Sequence, residues 1–249
     1  MALLAAEPRA VRCSNARSGY VGGLTLAFYA EPFFCRTGVS IIIMQPTARL
    51  SAALIAATAV AALLAQGIVT SQLPQMSGTL QVIVVLTGYF TILTNLIFAC
   101  SFARVAITGN RGSALWNGGL VLWIGTVGLV YHLLLAGIWA PQGFAWWADQ
   151  GLHTATPLLG LFWWLRFAPK GPLRATAPLW WTILPLAYCI YALLRGQITG
   201  FYAYPFIDAG QLGPLRTAIN ILGLTAGFVA GGYGVLFAAR QLDRGSPQG

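Results

Sequence analysis

The chain has 249 residues, of which 57% are hydrophobic and only 8% are charged. Soluble domains carry roughly 25% charged residues, so the composition excludes an ordinary water-soluble domain and predicts one integral membrane domain. The formal net charge is +9, but the basic residues are spread singly between apolar runs, which favours topology determinants over a nucleic-acid footprint. Lys170 is the only lysine, and this bias towards arginine suggests a GC-rich bacterial gene and the bacterial inner membrane.

Residues 1–43 differ from the rest of the chain, because several arginines and two glutamates interrupt them. Their one apolar run, 20–30, is too short to span a bilayer and ends at Glu31. No clean apolar stretch with a small-residue cleavage site follows the arginines, which argues against a signal sequence. We expect 1–43 to be a disordered or mis-annotated N-terminal extension, with Met44 as a natural initiator.

Six long apolar runs follow, at 51–73, 80–105, 114–138, 150–167, 178–196 and 215–238. Each is close to the ~20 residues that a helix needs to cross a hydrocarbon core. The runs are continuous rather than alternating, which excludes the strands of a membrane barrel. We therefore predict an all-α polytopic bundle of six transmembrane helices over 44–240, followed by a short polar tail at 241–249.

The connections between the runs alternate in charge. Basic residues precede the first run, fill the second and fourth connections and follow the last run: Arg49, Arg104, Arg111, Arg166, Lys170, Arg174, Arg240 and Arg244. The connections at 74–79 and 139–148 have none, and 197–214 has none internally. Since positive charge in short loops stays on the cytoplasmic side, both termini are predicted to be cytoplasmic.

Tryptophans are expected at both membrane interfaces, where their amphipathic rings are enriched. The predicted outer aromatic belt consists of Trp139, Trp146, Trp147, Tyr202 and Tyr204, and the predicted inner belt consists of Trp163, Trp164, Trp180 and Trp181.

Polar residues within or beside the apolar runs mark the candidate site, because an ionisable group at membrane depth is costly. On the predicted topology, one set falls between the midplane and the outer surface: Thr91, His132, Asp149, His153, Arg195 and Asp208. Thr91 lies about eleven residues into the second run, near the midplane, with Asn95 one turn further on the same face. Together they suggest one polar cavity that opens either outward or into the outer leaflet.

Most of these residues also have a structural interpretation. Thr91 suits a bond to its own helix, Asn95 suits a bond between helices, and His132 suits packing against a neighbouring helix. Asp149 suits an N-cap of the fourth helix, and Arg195 suits an outer headgroup contact. For His153 the functional and structural interpretations weigh about equally.

A hydroxyl nucleophile needs a base to accept its proton, and histidine is suited to that role. Thr91 and His153 are the candidate pair, and Asp149 is a candidate for holding the imidazole in one tautomer. The histidines and aspartates have no metal-ligand spacing, and two scattered histidines are poor evidence for haem. We predict neither a metal nor another cofactor.

Three segments carry a resemblance to a known family. They are Tyr89-Phe-Thr-Ile-Leu-Thr-Asn-Leu, Gly151-Leu-His-Thr-Ala-Thr-Pro-Leu and Tyr204-Pro-Phe-Ile-Asp. In this order they resemble a bacterial branch of the family of androgen-induced-gene proteins and the androgen-dependent regulator of tissue factor pathway inhibitor. The resemblance covers about residues 50–240 and rests on pattern and spacing.

This resemblance implies a six-helix membrane threonine hydrolase that acts on fatty acid esters of hydroxy fatty acids. Thr91 matches the family's nucleophile, His153 matches its motif histidine, and Tyr204 opens a matching Tyr-Pro-Phe motif. His132 has no obvious counterpart there. The expected partners are membrane lipids and a fatty-acyl ester substrate.

The alternative function is a non-enzymatic membrane protein, either a small-solute carrier or a structural partner. The glycines of the last run, Gly223, Gly227, Gly231, Gly232 and Gly234, suit tight helix packing. Carriers often contain internal repeats, and the absence of an evident repeat counts against that alternative.

Overall fold

The computed structural model describes residues 46–244, and every regular element in that range is helical. The helices are α1 (Pro46–Ser71), α2 (Thr79–Leu86), α3 (Phe90–Thr108), α4 (Ala114–Val130), α5 (Phe144–Gln150), α6 (Thr156–Phe167), α7 (Ala177–Thr199) and α8 (Ala209–Arg244). A π-helical turn over Tyr131–Leu135 extends α4, a second over Gly151–Ala155 joins α5 to α6, and a 3-10 turn over Pro205–Ile207 precedes α8. The extension expected at 1–43 and residues 245–249 of the predicted tail lie outside the described residues.

Within residues 46–244, five helices are long and apolar enough to cross a membrane. They are Pro46–Ser71, Phe90–Thr108, Ala114–Leu135, Ala177–Thr199 and Ala209–Arg244. Large apolar side chains on them are exposed, among them Leu64 at 65%, Leu133 at 71% and Ile198 at 84%. Soluble proteins rarely present so much continuous apolar surface to water. The predicted helical membrane bundle is thus confirmed.

The second predicted run, 80–105, is two helices rather than one. The chain leaves the helix after Leu86 and re-enters it at Phe90. The sequence-based position of Thr91, deep inside one continuous helix, is therefore wrong. Thr91 lies in the first turn of α3, where the main-chain amides have no partner in their own helix.

Side chains of α7 bond to the carbonyls near this break. The Tyr188 hydroxyl donates to the Gly88 carbonyl over 2.8 Å, and the Arg195 guanidinium donates to the Val84 carbonyl over 3.0 Å. A membrane protein needs such substitutes because the hydrocarbon core offers no water to a free carbonyl. The break is therefore fixed by its neighbour α7.

The fourth predicted run, 150–167, starts earlier in the structure than in the prediction. Helix α5 begins at Phe144 and continues through the π turn into α6, and its N-terminus is preceded by Gly143 at φ 59°. Asp149 thus lies inside the helical segment, and its interpretation as an N-cap is wrong. Its carboxylate has to find other partners.

Basic residues gather at one end of the bundle. Arg49, at the start of α1, donates to the carbonyls of Ala106 and Ile107 near the end of α3, at 2.9 and 2.8 Å. Arg111, just before α4, donates to the carbonyl of Phe167 at the end of α6, at 2.9 Å. These bonds place the starts of α1 and α4 beside the ends of α3 and α6.

Lys170 lies at the same end, in the loop between α6 and α7. Its ammonium group donates to the carbonyls of Trp164 and Ala168. Burial, and after it the positive charge of Arg111, lowers the pKa of Lys170 from 10.5 to about 8. The folded protein therefore releases this proton at a lower pH than the unfolded chain does.

The tryptophan belts follow the prediction only in part. The tryptophans of the predicted outer belt are exposed, as is Trp180 of the inner belt: Trp139, Trp146, Trp147 and Trp180. Tyr204 of the outer belt is only 8% exposed, because its ring packs inside the bundle, so its interfacial prediction is wrong. Trp163, Trp164 and Trp181 are instead buried, each less than 5% exposed. For these three the interfacial prediction is wrong, because their rings fill the space between helices.

The glycines of α8 pack less than the sequence suggested. A Cβ atom added at Gly223, Gly227 or Gly234 would meet no atom within 4 Å. At Gly232 an added Cβ would come within 2.9 Å of Pro178 on α7. Close helix approach in α8 is therefore local.

A proline inside α7 leaves one main-chain carbonyl without a donor, and a side chain of α4 supplies that donor. Pro185 has no amide hydrogen to donate to the carbonyl of Trp181 one turn earlier. The indole Nε1–H of Trp123 on α4 donates to that carbonyl over 2.7 Å. Trp181 in turn donates its indole N–H to the Leu115 carbonyl of α4 over 2.8 Å. The two indoles thus join α4 and α7 reciprocally.

Replacing Trp123 by phenylalanine should lower the free energy of unfolding by about 1–3 kcal/mol, because the Trp181 carbonyl loses its donor. In a Pro185→Ala background, residue 185 regains an amide that can bond this carbonyl, so the same change should cost less. A double-mutant cycle on the purified protein, unfolded in a denaturing detergent, measures the difference. Equal costs in the two backgrounds would contradict this pairing.

Candidate active site

The hydroxyl of Thr91 and the imidazole of His153 lie side by side. Thr91 Oγ1 is 3.4 Å from His153 Nε2, although 62 positions separate the residues in the chain. Thr91 comes from the first turn of α3, and His153 comes from the π turn before α6. Thr91 is 7% exposed and the His153 side chain is 15% exposed, so both are largely shielded from the surroundings.

The other ring nitrogen of His153 faces Asp149. His153 Nδ1 is 3.1 Å from Asp149 Oδ1 and 3.1 Å from the Asp149 main-chain oxygen. Carboxylate and carbonyl oxygens accept hydrogen bonds, so this network assigns the ring hydrogen to Nδ1. Nε2 then directs its lone pair at the Thr91 hydroxyl. This is the tautomer that a general base needs.

Tyr131 contacts both His153 and Asp149. Its hydroxyl donates to Asp149 Oδ2, and its ring stacks on the His153 imidazole with centroids 4.1 Å apart and planes inclined by 14°. Gln150 Nε2 donates to the same carboxylate oxygen over 3.4 Å. Because Asp149 is only 4% exposed, these two donors take the place of water around its carboxylate. The sequence singled out neither Tyr131 nor Gln150.

A proline explains the π turn that carries His153. The amide of Thr156 bonds to the Gly151 carbonyl, and residue 157 is a proline without an amide hydrogen. The Leu152 carbonyl is therefore left without a main-chain donor from the following turn. Such π-helical turns are frequent at functional sites.

Asn95 on α3 fills this gap and joins the two halves of the site. Its Nδ2 group donates to the Thr91 carbonyl over 2.9 Å and to the Leu152 carbonyl over 3.3 Å. Its Oδ1 atom accepts from the Thr156 hydroxyl over 2.7 Å. Asn95 is fully buried. The amide therefore positions Thr91 and the π turn relative to one another.

The helix α4 approaches the π turn at a glycine. A Cβ atom added at Gly128 would lie 3.1 Å from the His153 carbonyl and 3.0 Å from Pro157 Cβ. Main chain cannot yield as a flexible side-chain end does, so only a residue without a side chain fits here easily. This close approach brings the following turn of α4, with Tyr131, over the imidazole.

Tyr204 lies on the other side of Thr91. Its hydroxyl accepts from the Thr91 amide over 3.3 Å and is 3.4 Å from Thr91 Oγ1. Tyr204 is 8% exposed, and its ring stacks on Phe206 at 5.1 Å. The segment that enters at Tyr204 is thus folded into the bundle, where it places a phenol beside the amide and the hydroxyl of Thr91.

Three of the predicted site residues lie at the edge of this cluster or apart from it. His132 is exposed and reaches only the edge of the cluster: its ring meets Tyr131 edge-on at 5.0 Å, and its Nε2 lies 3.0 Å from the Thr154 hydroxyl, which donates to Gln150. Arg195 bonds near the break before α3 and lies over the Phe201 ring at 5.1 Å. Asp208 accepts from the amides of Gly210 and Gln211, and so caps the start of α8.

Among residues 46–244, no group of three or more histidine, cysteine, aspartate or glutamate side chains is arranged to hold a metal ion. Comparisons of the chain with protein-family models, curated proteins and solved structures give no match. The chemistry of the site therefore has to be inferred from its geometry.

Proposed function

We propose that this protein is an intramembrane hydrolase of fatty-acyl lipid esters, with Thr91 as the nucleophile and His153 as the general base. The observation that carries the proposal is the 3.4 Å separation of Thr91 Oγ1 from a histidine nitrogen whose partner nitrogen is held by Asp149. A base that is oriented by a third group is the general arrangement of nucleophilic hydrolases. Membrane lipids supply the substrate.

On this proposal the chain is a bacterial relative of the androgen-induced-gene family named above. The support is that the two motif residues matched to that family, Thr91 and His153, come from distant segments and meet in space. Tyr204, from the third matched segment, joins the same cluster.

The proposed reaction has two steps. In the first, His153 Nε2 accepts the Thr91 proton while Oγ1 attacks the ester carbonyl carbon. The carbon–oxygen bond to the alcohol then breaks, and the alcohol leaves with the proton from His153. In the second, His153 removes a proton from water, whose oxygen attacks the acyl-threonine, releasing the fatty acid and restoring the Thr91 hydroxyl.

Tyr204 is suited to stabilise the negative charge that develops on the carbonyl oxygen. Its hydroxyl lies 3.4 Å from Thr91 Oγ1 and is a hydrogen-bond donor. The first turn of α3 adds the positive end of a helix dipole at the same place. Donors fixed in advance around a developing oxyanion are usually the largest single contribution to catalysis.

We further propose six membrane crossings, with both termini in the cytoplasm and the site in the outer half of the inner membrane. The crossing in addition to the five long helices is the helical segment Phe144–Phe167, the fourth in chain order, which the π turn divides into shorter helices. At 1.5 Å per residue such a segment reaches about 36 Å, enough for a hydrocarbon core. The basic residues bonded at one end of the bundle support this orientation.

The topology is tested with single cysteines introduced at Gln142 and Gly171 and a membrane-impermeant thiol reagent applied to intact cells. Gln142 should be labelled, because it lies in the connection without basic residues. Gly171, beside Lys170, should be labelled only after the cells are permeabilised. The opposite pattern would reverse the proposed orientation.

Replacing Thr91 by alanine should abolish labelling by a long-chain alkyl fluorophosphonate and reduce hydrolysis of fatty-acyl esters to background. Replacing His153 by alanine should lower the hydrolysis rate about 10²–10⁴-fold, since the proton acceptor is lost. Gel fluorescence and release of free fatty acid measure the two effects.

The chain offers matched controls for both changes. Thr94 is a buried threonine on the same helix whose hydroxyl has no partner, and Thr94→Ala should retain labelling. His132 contacts Tyr131 at the edge of the cluster but bonds to neither Thr91 nor His153, so His132→Ala should retain most of the hydrolysis that His153→Ala loses. Labelling of Thr91→Ala at the level of the unaltered protein would refute the nucleophile assignment.

Tyr204→Phe removes one hydroxyl and keeps the ring. If this hydroxyl stabilises the oxyanion, kcat should fall about 10–10³-fold while KM stays nearly constant. Steady-state kinetics with a soluble short-chain ester gives both constants. A change confined to KM would assign Tyr204 to substrate binding instead.

A further inference from the structure

A cavity of about 60 Å³ adjoins Thr91 on the side where Tyr204 lies. It is partly open and is lined by residues from α3, α4, α7, α8 and the turn before α8. Its lining includes Phe90, Thr91, Val127, Leu186, Tyr204 and Phe228. His153, Asp149 and Tyr131 do not line it. Thr91 therefore stands between the base on one side and this cavity on the other.

The polar groups along the wall are already occupied. Thr126, Thr182 and Thr225 each donate to the carbonyl one turn earlier in their own helix. The Tyr188 hydroxyl donates to the Gly88 carbonyl. A bound ligand thus contacts an apolar wall along the cavity, and at one end of the cavity it contacts the hydroxyls of Thr91 and Tyr204.

From this arrangement we propose that the cavity is the acyl subsite, and that it takes the first carbons of an unbranched acyl chain. The inference rests on the proposed function. It assigns the acyl part of the ester to the cavity and the alcohol to the side of His153, which has to return a proton to it. An apolar wall with one reactive end favours this orientation over the reverse.

The volume limits what fits. A dry apolar cavity of about 150 Å³ accommodates benzene, with six carbons, so about 60 Å³ holds roughly two or three carbons. The rest of a longer chain has to lie outside. Leu186 on the wall is 38% exposed at the lipid-facing surface of α7, and Val130 and Leu135 are partly exposed. A linear chain can leave past these side chains, whereas branches next to the carbonyl have no room.

Cys189 provides a probe that does not depend on catalysis. Its side chain lines the cavity, while Cys100 is exposed on α3 and does not line it. Alkylation of the two thiols by N-ethylmaleimide can be read separately by peptide mass spectrometry. Cys100 is then an internal control for general effects of an added ligand.

The experiment uses the full-length Thr91→Ala protein in lipid nanodiscs. This variant is expected to bind the ester without cleaving it. Ethyl hexadecanoate at about ten times its dissociation constant should slow alkylation of Cys189 about ten-fold and leave Cys100 unchanged. Ethyl 2,2-dimethylhexadecanoate, branched next to the carbonyl, should leave both rates unchanged. Equal protection by the two esters, or protection by neither, would overturn the inference.

The two proposals fail in different ways. If Thr91-dependent hydrolysis of ethyl hexadecanoate is observed without protection of Cys189, the acyl chain binds elsewhere and the hydrolase assignment stands. If Cys189 is protected by the linear ester alone but the unaltered protein cleaves nothing, the cavity binds acyl chains and the hydrolase assignment is wrong.

Discussion

In the hydrocarbon core of a membrane, a main-chain carbonyl that its helix leaves free finds no water to bond. This constraint governs the two irregular points that flank the candidate site, the break before α3 and the π turn before α6. Side chains of α7 bond to carbonyls at the break, and Asn95 bonds to the Leu152 carbonyl at the π turn. Each of these bonds requires the neighbouring helix to lie in one position relative to the irregular point, so the irregular points determine how the helices pack.

The same bonds give the candidate site its geometry. Asn95 holds the Thr91 carbonyl and the Leu152 carbonyl with one buried amide, which fixes the distance from the hydroxyl to the imidazole of His153. Tyr131 covers the far face of that ring and binds the carboxylate behind it. A side-chain network that is fully satisfied in this way is rigid, and preorganisation of this kind is what hydrolytic chemistry needs.

The apolar runs suffice to predict a helical membrane bundle, because hydropathy is averaged over about 20 residues. That averaging hides the break before α3 and both π turns, because each is only a few residues long. Thr91 and His153 are predictable because polar groups at depth contrast with their neighbours. Tyr131 has no such contrast in a chain rich in aromatics, and its bond to Asp149 exists only once α4 meets the π turn. The burial of Trp163 is likewise not predictable from the sequence, because it results from the packing of neighbouring helices.

The ammonium group of Lys170 holds its proton less tightly in the folded protein than in the nascent chain. Insertion machinery meets a nascent chain, in which this side chain is hydrated and keeps its ordinary pKa near 10.5. Under the proposed topology, it therefore counts as a full positive charge during insertion. Once folded, burial and Arg111 lower that pKa to about 8. Near neutral pH the folded protein still carries most of this charge, but it loses the proton around pH 8, whereas the nascent chain keeps it until about pH 10.5.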